Sequence, residues 1–171
     1  MLINRLLLLF FLPLFSLISC TNDSQKNNVE IEAKDTVQIT IQMPAIVNLN
    51  PKVFPEIAAW NTFKELEAEI EKLYDFKENE DFSFIIDELI KKEKALSSKV
   101  FPEKFNTPSV KSRVLVLKTY ILQTKAAIDD KEDEEVIMKQ KEKIIVAYNA
   151  LLKQFNERLE ENLADEFLNK N

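Results

Sequence analysis

Glycine and histidine are absent from this 171-residue chain, and cysteine occurs once. Without Gly there is no phosphate-cradling loop, no dinucleotide fingerprint and no EF-hand, whose sharp turn requires one. Without His there is no Ser-His or Cys-His nucleophile pair, no His-ligated zinc and no imidazole base near neutral pH. The Glu-x-x-His pairs that build di-iron sites in helical bundles are excluded for the same reason, as is haem held by His. One Cys cannot form an intramolecular disulfide, so the fold must rest on its core. Basic side chains number 23 against 29 acidic ones, a net charge of −6. That balance favours solubility and argues against nucleic acid or an anionic membrane surface as the main partner.

What is present begins with an apolar N-terminus. Arg5 precedes Leu6-Leu7-Leu8-Leu9-Phe10-Phe11-Leu12-Pro13-Leu14-Phe15, and Ser16-Leu17-Ile18-Ser19 follows. A single positive charge, an apolar run too short to span a bilayer and then small residues make a secretory signal rather than a transmembrane helix. The single cysteine, Cys20, comes next. Leu17-Ile18-Ser19-Cys20 resembles the lipobox of bacterial lipoprotein precursors.

The resemblance covers the first 20 residues. It implies cleavage between Ser19 and Cys20, acylation of Cys20 by several chains and permanent tethering, because two or more chains anchor stably where one does not. Ordinary secretion with a free thiol is the alternative. Thr21 after the Cys is compatible with sorting to an outer membrane. The stretch 21–28 has one acid and one base and is not an acidic surface-export tag, so the expected location is the periplasmic face of that membrane.

Removal of residues 1–19 takes away Arg5 and no acid, leaving 22 basic against 29 acidic side chains. Apolar residues then make up roughly two-fifths of the chain, enough for one core. Residues 20–52 read as a tether and an extended, β-like arm: Val37-Gln38-Ile39-Thr40-Ile41-Gln42-Met43 alternates at the period of a half-buried strand, and Lys34-Asp35 is the candidate hairpin turn after Val29–Ala33. A lone hairpin is marginal in water, so the arm either packs on the body or stays extended. Pro44, Asn48, Asn50 and Pro51 interrupt regular structure.

Residues 53–171 form the helical domain. Apolar stripes at steps of three and four predict helices over about 55–75 (Trp60, Phe63, Leu66, Ile70, Leu73), about 80–99 (Ile86, Leu89, Leu96), from Thr107-Pro108 to about 128 (Val114, Leu117, Ile121), and about 133–168 (Ile144, Tyr148, Leu151, Phe155). Short connections make sequential helices antiparallel neighbours. The expected architecture is all-α, an up-down-up-down four-helix bundle with an N-terminal extended arm. The fourth helix would be nearer 50 Å than the 30 Å of the others, an overhang free to fray, to pack on the arm or to bind a partner.

One pentapeptide repeats. Lys52-Val53-Phe54-Pro55-Glu56 recurs as Lys99-Val100-Phe101-Pro102-Glu103, as a duplicated helical hairpin would require. The expectation is a staple, with Phe54 and Phe101 both tucked under the bundle.

Candidate chemistry is sparse. The acidic run 129–135 offers carboxylates for a hard cation, but acids at a helix N-terminus also offset its dipole while sitting in solvent. Paired carboxylates hydrolyse glycosides only when they flank a cleft, and Glu65, Glu67, Glu69 and Glu71 read as a solvated face. Lys111, Lys118 and Lys125 form a basic stripe seven residues apart. Lys104, Lys111, Arg113 and Arg158 fall towards one end of the bundle and make a candidate anion-binding corner, since Arg offers a bidentate fork. Their alternative partners are the protein's own acids. No cofactor or metal is implied.

These residues predict a membrane-tethered, non-catalytic lipoprotein that binds or braces another component of the bacterial envelope. The alternatives are a bundle that opens around a lipid or small molecule, with nine phenylalanines outside the signal segment available for a cavity, and an enzyme using only carboxylates, Lys, Tyr and Ser. The helical body by itself implies no function.

Overall fold

The computed structural model describes residues 42–76 and 82–168, the last eight by backbone alone. The signal segment, Ser19, Cys20 and the alternating segments at 29–43, save Gln42 and Met43, lie outside the described residues. Within them all regular structure is helical: α1 (Phe54–Ala59), α2 (Asn61–Tyr74), α3 (Phe82–Ser97), α4 (Pro108–Asp129) and α5 (Glu134–Leu168), with 3-10 turns at Pro51–Val53 and Glu103–Phe105. The all-α class is as the apolar periodicity predicts.

The difference lies in the first predicted helix, which is broken at Trp60. There the backbone leaves helical space (φ −95°, ψ 78°). The Trp60 N–H still donates to the Ile57 carbonyl at 2.9 Å, and its own carbonyl accepts from Phe63 and Lys64, both at 3.1 Å. The backbone bonds lost at the break are thereby largely recovered. The bend buries Val53, Ile57 and Trp60 together. The indole lies 5.0–6.0 Å from the rings of Phe63, Phe101, Phe105 and Phe155, which gathers one end of the core around a single aromatic cluster.

Helix ends follow the local chemistry. The Thr107 hydroxyl accepts from the Val110 N–H at 3.3 Å, and Pro108 occupies the first helical position of α4. α4 ends in a Schellman motif in which Glu132 N–H donates to Ala127 and Lys131 N–H to Ile128, at 2.9 and 3.0 Å. The left-handed residue that this motif needs is usually Gly. Here it is Lys131, with φ 56°.

α2 packs on α3, α3 on α4, α4 on α5, and α5 returns to α2, while both 3-10 turns pack on α5. Phe63, Leu66 and Ile70 of α2 meet Ile86 and Leu89 of α3, Leu117 and Ile121 of α4, and Ile144, Leu151 and Phe155 of α5 in one core. At the far end of α2 the buried Lys141 ammonium donates to the Tyr74 carbonyl at 3.3 Å and lies 5.5 Å from the Phe76 ring centroid. A cation at a helix C-terminus meets the negative end of the dipole.

Residues 42–50 are neither strand nor helix, yet they are held. Asn149 on α5 accepts from Val47 N–H at 2.8 Å and donates to the Ala45 carbonyl at 2.9 Å. One heptad on, Asn156 accepts from Asn50 N–H at 2.8 Å and donates to the Asn48 carbonyl at 3.1 Å. Two amides, two turns apart on one helix face, thus supply the bonds that a neighbouring strand would. Met43, Ile46, Val47 and Leu49 pack against the core beside them.

The two copies of the repeat are not equivalent, which corrects the staple expectation. Phe101 is buried, but Phe54 is 52% exposed and Val53 takes the interior position. Val100, its counterpart, is 88% exposed. The first copy enters a 3-10 turn and opens α1, whereas the second is extended until Glu103. A change of backbone shifts which side chain faces inward.

Candidate functional site

The described surface carries two sizeable concavities. One, of about 600 Å³, lies between α2 and α3 and is lined by Glu69, Glu71, Lys72, Asp75, Phe84 and Ile85. The other, of about 520 Å³, opens where the end of α3, the 98–106 connection and the start of α4 converge. The second holds the denser chemistry.

At its base is Glu93, a carboxylate only 2% exposed. The Ser97 hydroxyl donates to one carboxylate oxygen, and the Lys118 ammonium lies 3.4 Å from the other. Placing Ser97 one turn after Glu93 on α3 brings hydroxyl and carboxylate onto one face. Both oxygens are therefore engaged, as a buried charge requires. A serine whose proton is held by a carboxylate, with no imidazole beside it, resembles a structural anchor more than an activated nucleophile. Around this anchor stand Lys99, Lys111 and Lys118, and the walls are Val100, Phe101, Val114 and Leu115. Positive charge over apolar side chains suits an anionic partner with an apolar portion.

The residues singled out from sequence are distributed as follows. Lys111 lines this cavity with Lys118. Lys104 is engaged instead by Glu56 at 2.8 Å. Arg113 is exposed on α4 and Arg158 half-buried on α5, and neither lines the cavity. Lys125, the last of the heptad-spaced lysines, lies between Asp87 at 3.3 Å and Asp129 at 2.9 Å. The acidic run around the α4–α5 turn is solvent-exposed, with Glu135 paired to Lys139 at 2.6 Å. Among the described residues no group of three or more His, Cys, Asp or Glu could hold a metal ion.

The α2 series is not wholly a solvated face: Glu69 is buried and paired with Lys72 at 2.7 Å, and Glu67 is half-buried. Glu67 accepts from the buried Tyr148 hydroxyl at 3.1 Å. Burial pushes the Glu67 carboxyl above its ordinary range, against the opposing pull of that hydrogen bond. Burial, together with the Glu67 charge, also drives the Tyr148 phenol well above its usual value. Tyr148 reads from sequence as one more apolar-stripe residue, and only the packing of α2 on α5 reveals its partner. Glu93 was likewise invisible, since its sequence neighbours are ordinary for a charged helix.

Compared with known protein families, with characterised proteins and with solved structures, the chain matches none. Among the described residues no helix is long and apolar enough to cross a membrane.

Proposed function

We propose that this protein is a lipid-anchored, non-catalytic lipoprotein of the bacterial envelope, held by acylated Cys20 on the periplasmic face of the outer membrane, where its helical body binds or braces another envelope component. The observation that carries this reading is the ordered series Arg5, the apolar run 6–15 and Leu17-Ile18-Ser19-Cys20, ending on the chain's single cysteine. The body is an antiparallel up-down-up-down bundle in which α1 and α2 together make the first limb. Support comes from the closed cycle of helix neighbours α2, α3, α4 and α5. It also comes from opposed pairing registers: Glu93 meets Lys118 while Asp87 meets Lys125, and Glu67 meets Tyr148 while Tyr74 meets Lys141.

The test is metabolic labelling of intact cells with an alkyne-tagged fatty acid, followed by separation of the two membranes. The wild-type chain is expected to carry label and to sediment with the outer membrane, and a Cys20→Ala form to lose both. An unlabelled wild-type chain in the soluble fraction overturns the reading.

A further inference from the structure

Charge is segregated along the chain. Between Lys94 and Ile128 there are seven basic side chains and one acid, Glu103, in a molecule whose net charge is −6. α4 lies within that stretch and contains no acid before Asp129. Its inner face is the expected stripe of Val110, Val114, Leu117 and Ile121. A second stripe faces outward: Ser112, Leu115, Thr119, Leu122 and Ala126 follow one another at steps of three, four, three and four, and every one is exposed. Leu115 is 61% and Leu122 45% exposed. That spacing is the a/d pattern by which one helix receives another, and no charged residue interrupts it. At its N-terminal end Leu115 forms part of the cavity wall beside Val100 and Lys111, a recess into which a bulky partner side chain fits.

We propose that the outer face of α4, from Ser112 to Ala126 and including the cavity at Lys111, docks an acidic amphipathic helix of another envelope protein. The proposal rests on the reading of the protein as a binding module and names the chemistry of what it binds. Charge selects the occupant. Lys111, flanking the stripe, and Lys99, at the cavity, enter no ion pair among the described residues, whereas Lys118 and Lys125 are already matched by α3 acids. A second copy presenting its own α4 would set like charges against each other. An anionic bilayer is disfavoured because the stripe is narrow and has no aromatic side chain to enter the interface. Two heptads span about 21 Å, the length of a dissociable contact rather than of a permanent coiled coil.

The experiment places a photoreactive amino acid at Thr119 of the full acylated chain, or at the exposed Lys64 of α2 as control, and identifies the cross-linked peptide after irradiation of intact cells. The expected product, from position 119 and not from 64, is a protein segment with apolar residues at heptad spacing flanked by Asp and Glu. Leu115→Glu with Leu122→Glu abolishes it while the helical circular dichroism is retained, since both side chains are largely exposed and Glu keeps the helix propensity of Leu. A second arm titrates the purified full chain with a synthetic four-heptad peptide carrying Leu at a and d and Glu at e and g. Lys99→Glu with Lys111→Glu is expected to weaken that binding about tenfold. Cross-links to phospholipid, to a second copy of this chain or to a segment without acidic heptads overturn the proposal, as does the absence of any product or indifference to both pairs of substitutions. Because the titration needs no membrane, failure of the lipid anchor and failure of the α4 surface are read separately.

Discussion

Asn149 and Asn156 show how much a single side chain can organise. Each amide supplies a donor and an acceptor to the backbone of residues 45–50, which has no sheet to join. Asn149→Ala removes two hydrogen bonds at a buried position. At about 0.5–1.5 kcal/mol each, the expected loss is about 1–3 kcal/mol, measurable as a lowered denaturation midpoint with an unchanged denaturant slope. The Tyr148–Glu67 pair makes a second prediction at this scale. The folded state holds the phenol proton far more tightly than the ordinary value of 10.0, so its stabilising contribution is complete below pH 10 and is lost as the unfolded chain ionises above it. Tyr148→Phe loses the hydrogen bond to Glu67 and should be less stable than wild type at neutral pH. That deficit should shrink progressively in thermal melts above pH 10. Glu67 has the same sign in acid. Its raised pKa favours the folded state below the ordinary 4.5, and that advantage disappears as pH rises through the raised value.

At the scale of elements, a chain without glycine has to end its helices by other means. α4 closes with Lys131 in the left-handed region, where a Cβ costs roughly 1 kcal/mol or more. Lys131→Gly is expected to raise stability by about 0.5–1 kcal/mol, the relief of that strain less the entropy glycine adds to the unfolded chain. Equilibrium urea denaturation checks it, and a destabilised Gly variant would show that the Lys131 side chain contributes packing beyond its backbone. α4 begins and ends, and α5 begins, close to where Thr107-Pro108 and the acidic run 129–135 place them, because capping and dipole complementarity act within a turn or two. The break at Trp60 was not legible, since Trp60, Phe63 and Leu66 keep helical spacing across it. The two Lys-Val-Phe-Pro-Glu segments make the same point: identical residues bury Val53 in one copy and Phe101 in the other.

At the scale of the whole molecule, α1 to α5 share one core and one aromatic cluster, so the helices depend on each other. Unfolding is expected to be a single cooperative transition. Trp60, the only tryptophan, sits in the cluster joining the Phe101–Phe105 connection to α5. Its fluorescence should therefore change at the same denaturant concentration as the helical circular dichroism. Separate midpoints would mean that the aromatic end opens independently. The docking surface belongs to this scale too: the heptad-spaced lysines were visible in the sequence, but only packing shows that two of them face α3 acids while Lys111 stays at the cavity.

The sequence by itself determined what is local or periodic. Its 3.6-residue apolar repeat fixed an all-helical body, Thr107 and Pro108 fixed where α4 starts, and the lack of His and Gly removed whole classes of chemistry. The tertiary structure alone decided what depends on partners far apart in the chain. Asn149 reaching the coil at residue 47, Tyr148 reaching Glu67, and Glu93 lying buried against Lys118 are each set by segments far apart in the chain coming together, and no spacing along one helix encodes which group waits on the next. The second stripe on α4 lies between these limits. Its spacing is written in the sequence, but that Leu115 and Leu122 face solvent follows only once the inner stripe has claimed the core.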